Sequence, residues 1–367
     1  MKIKSIEARN ISIPLNRPIH NPAFKFTHCK YTIVTVTTDE GITGWSFSFG
    51  MHHTKAVVDE LAEILVGEEI DTRRLYEKMK RTQAVRWDRG GISMRALSAI
   101  DIALWDIVGK SCGLPLYRLL GCYREEIPVY YSGGHYPVDS TKTSDMLDYL
   151  EQDIGKGLDR GFSSFKIKIG GAAVSQDLER IAFCRKLIGP DRRLMVDAFC
   201  AYEADVIIPM AKKFEQYDIG FLEEPVALDD IPGCAYVAAN VSMPVALGES
   251  HYTMAQFRDI INSKAARILQ PDVAYVGGIT GFMQYAGIAA YHGLRLAPHW
   301  CHDLSVQLAL SIPQIRELEY MDQNSALFLI QKVIANPVTA SNGIVRAPEG
   351  AGHGLVLDEK AVERYLA

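Results

Sequence analysis

Three short apolar runs in this chain each lead into a carboxylate, and the three carboxylates are evenly spaced. Asp197, Glu223 and Glu249 stand at or just after the ends of these runs, with 26 residues from the first to the second and 26 from the second to the third. One strand, one loop and one helix occupy about that length. The pattern therefore predicts successive βα units of a parallel sheet, whose buried strands are apolar on both faces.

Three carboxylates at the same end of a sheet repel one another unless a cation lies among them. Oxygen-only ligands of this kind are typical of Mg²⁺ in proteins. We therefore predict one Mg²⁺ per subunit, bound by Asp197, Glu223 and Glu249. Because adjacent strand residues face opposite sides, the neighbouring Glu224 is expected to lie outside the coordination sphere.

The alternation of strands and helices extends over most of the chain. Eight strands are predicted, at 127–132, 163–169, 193–198, 219–224, 244–249, 267–272, 295–299 and 317–321, and most intervals contain helical stretches, such as 177–187, 204–217 and 253–263. Eight strands separated by crossovers predict an α/β protein with a (β/α)8 TIM barrel. Such a barrel carries its active site at the carboxyl ends of the strands.

The residues before this barrel have a different pattern. Residues 1–50 alternate apolar and polar side chains and are predicted to form an antiparallel meander, whereas 16–28 contains two prolines and is predicted to be a loop. Helices are predicted in 54–83 and along the apolar stripe 96–108, and Gly113 and Pro115 end the latter.

Composition excludes several classes of protein. The formal net charge of −5 gives no support to a nucleic-acid or membrane partner, and no stretch approaches the length of a transmembrane helix. Seven cysteines without a CxxC pair argue against a disulfide framework and suit a reducing compartment. With no apolar signal segment at the start, we expect a cytoplasmic protein.

Lys166 and Lys168 are two residues apart on the second predicted strand, so both side chains face the same side. The alternative is an exposed edge strand whose lysines face water. Beside a divalent cation, each lysine would lower the pKa of the other, and the metal would lower both. A lysine must fall from about 10.4 to about 7–8 to act as a base.

Polar residues also follow the last three predicted strands. Asp272 ends the sixth and His299 the seventh, where the carboxylate can fix the tautomer of the imidazole and raise its basicity. His302 is the alternative, but His299 comes first after the apolar run. Glu319 ends the eighth strand, where it is either a surface acid or a partner for a substrate carboxylate.

With these residues in place, the chain resembles the enolase superfamily, and within it the mandelate racemase subgroup, over essentially its whole length. The helix 98–107 and the segment 115–121 are similar to the signature of that superfamily's capping domain. The subgroup's order and spacing are matched by the lysine pair, the metal carboxylates, the Asp–His dyad and the late glutamate, at Lys166, Lys168, Asp197, Glu223, Glu249, Asp272, His299 and Glu319.

The resemblance implies an architecture and a division of roles. A modified (β/α)7β barrel would occupy 126–330, under an α+β capping domain formed by 1–125 and completed by a C-terminal segment, 331–367. The metal and Lys166 would hold a substrate carboxylate, to which Glu319 donates a hydrogen bond. Lys168 would face one side of the α-carbon, and His299, oriented by Asp272, would face the other.

The implied reaction is Mg²⁺-dependent abstraction of the proton next to a carboxylate, which gives an enediolate. That step builds a second negative charge on the carboxylate, which a preorganised cation and hydrogen-bond donors must stabilise. Our first hypothesis is β-elimination of water by a sugar-acid dehydratase, and the second is a racemase or epimerase of an α-hydroxy or related acid. A barrel retained only for binding is the third. The expected partners are a small carboxylic acid and further copies of the chain in a homo-oligomer.

One position departs from the subgroup. Two residues after the first metal ligand the subgroup usually has an asparagine that contacts a substrate hydroxyl, and here Phe199 takes its place. Further aromatic residues fall in the predicted cap loops, which indicates a less polar pocket; they are Phe24, Phe26, Phe47 and Phe49. Histidines that would restore polarity are His20, His28, His52 and His53.

Overall fold

The computed structural model describes residues 1–49, 53–321 and 327–367. The chain begins with an antiparallel sheet of β1 (Ile3–His20), β2 (Lys25–Thr38) and β3 (Thr43–Phe49), in the order β3-β2-β1. The loop predicted at 16–28 is wrong in most of its length, because Ile19 pairs with Phe26 and His20 with Lys25, which extends both strands. A register shift between Pro14 and Ile19 accommodates Pro18, and Pro22 lies in the short turn that remains between the strands.

Five helices follow: α1 (Thr54–Leu65), α2 (Thr72–Lys80), α3 (Gln83–Trp87), α4 (Ile92–Cys112) and α5 (Leu116–Leu119). Of these, α1 and α4 pack directly on one face of the sheet. The long helix α4 carries the predicted apolar stripe and ends at Gly113, whose left-handed φ of 66° favours glycine. It lies directly on β3, where a Cβ on Gly44 would come within 2.1 Å of the carbonyl oxygen of Ala103. Helix and strand backbones therefore pack closely.

The barrel has eight parallel strands, numbered here as barrel strands one to eight: β4 (Ile127–Gly133), β6 (Ser164–Lys168), β7 (Arg193–Asp197), β8 (Ile219–Glu223), β9 (Val245–Leu247), β10 (Ile268–Leu269), β11 (Arg295–Leu296) and β12 (Leu318–Tyr320). The short β5 (Tyr136–Pro137) leaves the barrel and pairs with β1 of the cap sheet. Pairing of β12 with β4, and a bridge from Leu296 to Ile315, close the ring.

Seven helices alternate with these strands: α6 (Thr143–Asp159), α7 (Val174–Ile188), α8 (Ala204–Phe214), α9 (Ile231–Asn240), α10 (Met254–Asn262), α11 (Gly278–Tyr291) and α12 (His302–Ser311). In the described part of the chain, β12 is followed by a 3-10 turn, Leu329–Val333, instead of an α-helix. The predicted α/β barrel of the (β/α)7β type is confirmed. The sixth and seventh strands are shorter than predicted because Pro271 and Pro298 have no N–H to continue the ladder.

Helix α4 also docks the cap onto the barrel. The Oγ of Ser98 accepts a hydrogen bond from the N–H of Gly277 at 2.9 Å, and Asp101 Oδ2 accepts one from the N–H of Thr280 at 2.9 Å. These donors belong to the first turn of α11 and the residue before it, so one domain caps a helix of the other. Asp101 is fully buried, and burial raises its pKa to about 7.

The last described residues divide between both domains. The strand β13 (Ile344–Val345) pairs with the start of β4, and α13 (Glu359–Arg364) leads back to the cap sheet. There the N–H of Ser12 bonds the carbonyl of Tyr365 at 2.9 Å, and the N–H of Ala367 bonds the carbonyl of Asn10 at 3.0 Å. These contacts favour a cap completed by the C-terminal segment, while the domain boundaries stay a prediction.

Candidate functional site

The three predicted metal ligands meet at the carboxyl end of the barrel. Asp197 and Glu223 end the third and fourth barrel strands and are paired in register, and Glu249 follows the fifth strand by two residues. Each offers a carboxylate oxygen that lies within 4.8 Å of the other two. All three residues are buried, so their charges are concentrated in a volume that suits one cation.

The chemistry of this cluster fits Mg²⁺. The donors are all carboxylate oxygens, and Glu249 Oε2 is buried with no hydrogen-bond partner in the part of the chain that the structure describes. Burial raises the pKa of Glu249, a cost that a bound cation would remove. Glu224 is outside the cluster, as its position on the strand predicts, and its Oε2 lies 3.4 Å from Cys200 Sγ.

Both lysines of the predicted pair are buried beside the carboxylates, which excludes an exposed edge strand. Lys166 Nζ donates to Glu223 at 2.7 Å and lies 2.8 Å from Glu319, while Lys168 donates to Asp197. Burial lowers the pKa of Lys168, but the charges of Asp197 and Glu249 outweigh it and raise the pKa above its ordinary value. Lys166 lowers the pKa of Lys168, as predicted, and the lowering by the metal stays a prediction.

The predicted dyad is formed. Asp272 Oδ2 lies 2.8 Å from His299 Nδ1, and Asp272 Oδ1 accepts a hydrogen bond from the N–H of Ala274 at 2.7 Å. His299 Nε2 lies 3.6 Å from Glu249 Oε2. Burial lowers the pKa of His299, but the Glu249 charge and the hydrogen bond to Asp272 raise it to about 10.

The alternative histidine is elsewhere. His302 is fully buried in α12, where its Nε2 lies 2.9 Å from Gln331 Nε2, which also bonds the carboxylate of Asp303. Burial lowers the pKa of His302 to about 3. His299 lines the cavity and His302 is not among the described residues that do, which favours His299 as the residue available to a substrate.

Glu319 reaches the cluster from the eighth strand. One oxygen lies 2.8 Å from Lys166 Nζ and the other accepts a hydrogen bond from the N–H of Trp300 at 2.9 Å. Burial raises the pKa of Glu319, but the Lys166 charge outweighs it and lowers the pKa. Glu319 is thus an acceptor here, and its role as a donor to a substrate carboxylate stays a prediction.

A cavity of about 390 Å³ opens above this cluster and is lined by Lys168, His299 and Glu249. Its wall among the described residues is rich in aromatic side chains: Phe24, Phe26, Phe49, Phe199, Tyr275 and Trp300. Phe199 lies 5.1 Å from Lys168 Nζ and packs edge-on against Phe24, at 6.0 Å between ring centroids. Phe47, in contrast, is fully buried between Tyr31 and Trp45.

The histidines expected to add polarity to the pocket have different positions. His28 lines the cavity, whereas His20 stacks on Tyr136 at 5.2 Å between ring centroids. His53 precedes α1 and is not among the residues that line the cavity, and His52 lies outside the described residues.

Several cavity residues were not anticipated from the sequence, among them His135, Trp300 and Arg95. His135 follows the first barrel strand and is only 4% exposed, and burial together with the Lys168 charge lowers its pKa to about 3. Trp300 stands next to His299 and packs against Phe49, at 4.0 Å between ring centroids. Arg95 of the cap helix stacks on Tyr275 at 3.9 Å. The sequence signal that could have identified His135 is a polar residue just after an apolar strand. Two glycines separate His135 from the predicted strand 127–132, which hides this signal.

Two family models match the chain. Residues 5–121 match the Mandelate racemase / muconate lactonizing enzyme, N-terminal domain, and residues 150–361 match the Enolase C-terminal domain-like model. The second match covers more than half of the chain. This protein therefore belongs to the enolase superfamily, in the mandelate racemase and muconate lactonizing enzyme subgroup.

Individual relatives show the range within that family. The chain is 30% identical to a D-galactarolactone cycloisomerase of Agrobacterium fabrum, over 100% of the chain and 99% of the relative. It is 31% identical to an L-talarate/galactarate dehydratase of Salmonella typhimurium, over 91% and 82%. Among solved structures, a racemase from Streptomyces coelicolor with bound magnesium aligns over 100% of both chains with a TM-score of 0.90 and 27% identity.

Within the described residues, no helix is both long and apolar enough to cross a membrane.

Proposed function

We propose that this protein is a Mg²⁺-dependent enzyme that removes the proton next to the carboxylate of an acid sugar and then eliminates water from the adjacent carbon. The observation that carries the proposal is a cavity lined by both Lys168 and His299, with Asp272 bonded to His299, directly beside three buried carboxylates. The dehydratases and cycloisomerases among the relatives support an acid-sugar substrate.

Asp197, Glu223 and Glu249 are the residues that would hold Mg²⁺. When bound, the ion supplies positive charge against the negative charge that develops on the substrate carboxylate. Lys166 lies among Asp197, Glu223 and Glu319, where its ammonium group can turn to the same carboxylate. Glu319, held in place by the N–H of Trp300, would donate a hydrogen bond to that carboxylate when it carries a proton.

Lys168 and His299 are the two groups that move protons. Each is a base only in its neutral form, and the protein groups alone raise the pKa of both, so the positive charge of the ion is required to favour deprotonation. Asp272 fixes the ring orientation of His299 through Nδ1, which leaves Nε2 to face the cavity side. In dehydration, one residue takes the α-proton and protonated His299 assists departure of the hydroxyl.

Racemisation is the second candidate, and the aromatic wall of the cavity favours it. Phe24 and Phe199 offer no hydrogen bonds to the several hydroxyls of a long sugar acid. Two proton-transfer groups that come from the second and seventh barrel strands suit removal of a proton from one face and return to the other. A barrel retained only for binding would not require two lysines and a dyad. A homo-oligomer stays a prediction.

Exchange of substrate α-protons with D₂O tests the proposal. A library of hydroxy acids is incubated with the enzyme and Mg²⁺, and ¹H NMR follows loss of the α-proton signal while a keto-acid assay follows dehydration. We expect Mg²⁺-dependent exchange or keto-acid formation with at least one acid. Exchange with inversion but without keto acid selects the racemase. No exchange and no product from any acid would contradict both enzyme hypotheses.

A further inference from the structure

The first barrel strand leads to an active-site residue of its own. Barrel strands two to eight each place a side chain in the proposed site, and after β4 the chain places His135 in the cavity wall. His135 is 4% exposed, and its Nε2 makes no hydrogen bond within residues 1–49, 53–321 and 327–367. A buried polar atom without a partner is costly, so a group that enters the cavity and bonds the ring is favoured.

The segment that carries His135 is held by buried charges. The N–H of Gly134 donates to Asp153 at 2.7 Å, and the carbonyl of Gly134 accepts from Arg180, which is fully buried. Arg180 also donates to the carbonyl of Lys168 at 2.7 Å. One guanidinium group therefore fixes His135 and Lys168 relative to each other, as a preorganised site requires.

The chemistry of the ring selects the type of ligand group. The Nε2 of an uncharged imidazole is a donor in one tautomer and an acceptor in the other. A hydroxyl can bond it in either tautomer, whereas a carboxylate can bond it only when it is the donor. The first and second barrel strands are paired at Gly133 and Ile167, so His135 belongs to the strand next to that of Lys168. A hydroxyl bonded to His135 would then be attached close to the carbon that Lys168 would deprotonate, because both residues line the same cavity from adjacent strands.

We propose that His135 binds the hydroxyl on the carbon next to the substrate carboxylate, on the side of Lys168, and so selects 2-hydroxy acids over acids without that hydroxyl. This inference rests on the proposed function, because it places the α-carbon between Lys168 and His299. The hydrogen bond would be made in a cavity whose wall includes six aromatic side chains, and a missing partner in such a site is costly.

The test compares pairs of acids that differ only in the hydroxyl at carbon 2. For each pair, the α-proton exchange rate in D₂O with Mg²⁺ gives a ratio of kcat/KM, hydroxy over deoxy, which is measured for the wild type, His135→Phe and His135→Gln. We expect His135→Phe to lower this ratio by about 10–100-fold. His135→Gln keeps a donor and an acceptor and should retain most of the ratio. Thermal melts establish that each variant is folded.

The outcomes separate the inference from the proposed function. A wild type that exchanges 2-hydroxy acids, with the same ratio in a folded His135→Phe variant, would overturn the role of His135 and leave the proposed function standing. A wild type that exchanges no acid of either kind would overturn both. If His135→Phe does not fold, His135→Leu removes the same two hydrogen-bonding atoms with a smaller side chain, and the ratio decides in the same way.

Discussion

Replacing Glu249 by glutamine should abolish a stabilisation by Mg²⁺ that is measurable without any substrate. A ligand present at one hundred times its Kd stabilises the folded state by roughly 2.7 kcal/mol. With an unfolding entropy of about 2.1 cal/mol/K per residue, a chain of 367 residues has about 0.8 kcal/mol/K. Mg²⁺ at that concentration should therefore raise the Tm of the wild type by about 3–4 °C.

The variant loses one of three charged ligands. Loss of an outer hydrogen-bond partner alone typically weakens metal binding by about 10–100-fold, so loss of a ligand should weaken it by at least about 100-fold. The same Mg²⁺ concentration then contributes only about 0.4 kcal/mol, or a Tm increase of about 0.5 °C. Without Mg²⁺, Glu249→Gln should melt no lower than the wild type, because it removes a buried charge whose Oε2 has no hydrogen-bond partner in the described structure.

Differential scanning fluorimetry with Mg²⁺ and with EDTA measures both effects. Glu224→Gln is the matched control, because it removes a buried carboxylate next to the cluster but outside it. This control should keep most of the shift produced by Mg²⁺. The reasoning is refuted if Glu249→Gln shows the full wild-type shift, or if Glu224→Gln loses it and Glu249→Gln does not.

Three further predictions follow from the same geometry. His299→Asn should lower product formation by about 10²–10⁴-fold yet leave α-proton exchange of one substrate enantiomer, and Lys168→Ala should leave exchange of the other enantiomer. Asp272→Asn should resemble a milder His299→Asn, and near wild-type product formation by His299→Asn would contradict the dyad. Phe199→Asn should improve turnover of polyhydroxylated acids relative to less polar ones, measured as a ratio of kcat/KM, and an unchanged ranking would contradict this. The pKa of Asp101 is raised to about 7, so its contribution to the free energy of unfolding is largest below about pH 4 and declines up to about pH 7. In denaturant titrations, the free energy of unfolding of Asp101→Asn should depend less on pH than that of the wild type, and an equal dependence would rule this out.

The barrel and the charged residues of its site were predictable because each depends on local sequence. Strand periodicity places the two lysines on one face, and the interval of one βα unit brings Asp197, Glu223 and Glu249 to one end of the sheet. These features need no knowledge of what packs around them. The same local reasoning correctly separates Glu223 from Glu224, because the alternation of side chains along a strand decides it.

Features that depend on distant partners were missed. The segment 16–28 has the composition of a loop. Pairing of β1 with β2, and of β5 with the end of β1, nevertheless makes most of it strand. His135 was missed because its position is fixed by Asp153 and Arg180, which are distant in sequence. The raising of the Lys168 pKa by its carboxylate neighbours was not foreseen, because the sequence suggests the lysine and metal charges but not how closely Asp197 approaches.

The contact between the first strand and residues 365–367 has a consequence for synthesis on the ribosome. Asn10 and Ser12 emerge early, but their backbone partners in this part of the sheet are made about 350 residues later, as is Glu359, the partner of Arg9. At a synthesis rate of about 5–20 residues per second, those partners are made roughly 20–70 s after this strand. During that time a nascent chain exposes an unpaired strand edge to its neighbours on a polysome. Deletion of 359–367 should therefore reduce soluble yield through aggregation, even though the residues of the barrel site are all retained.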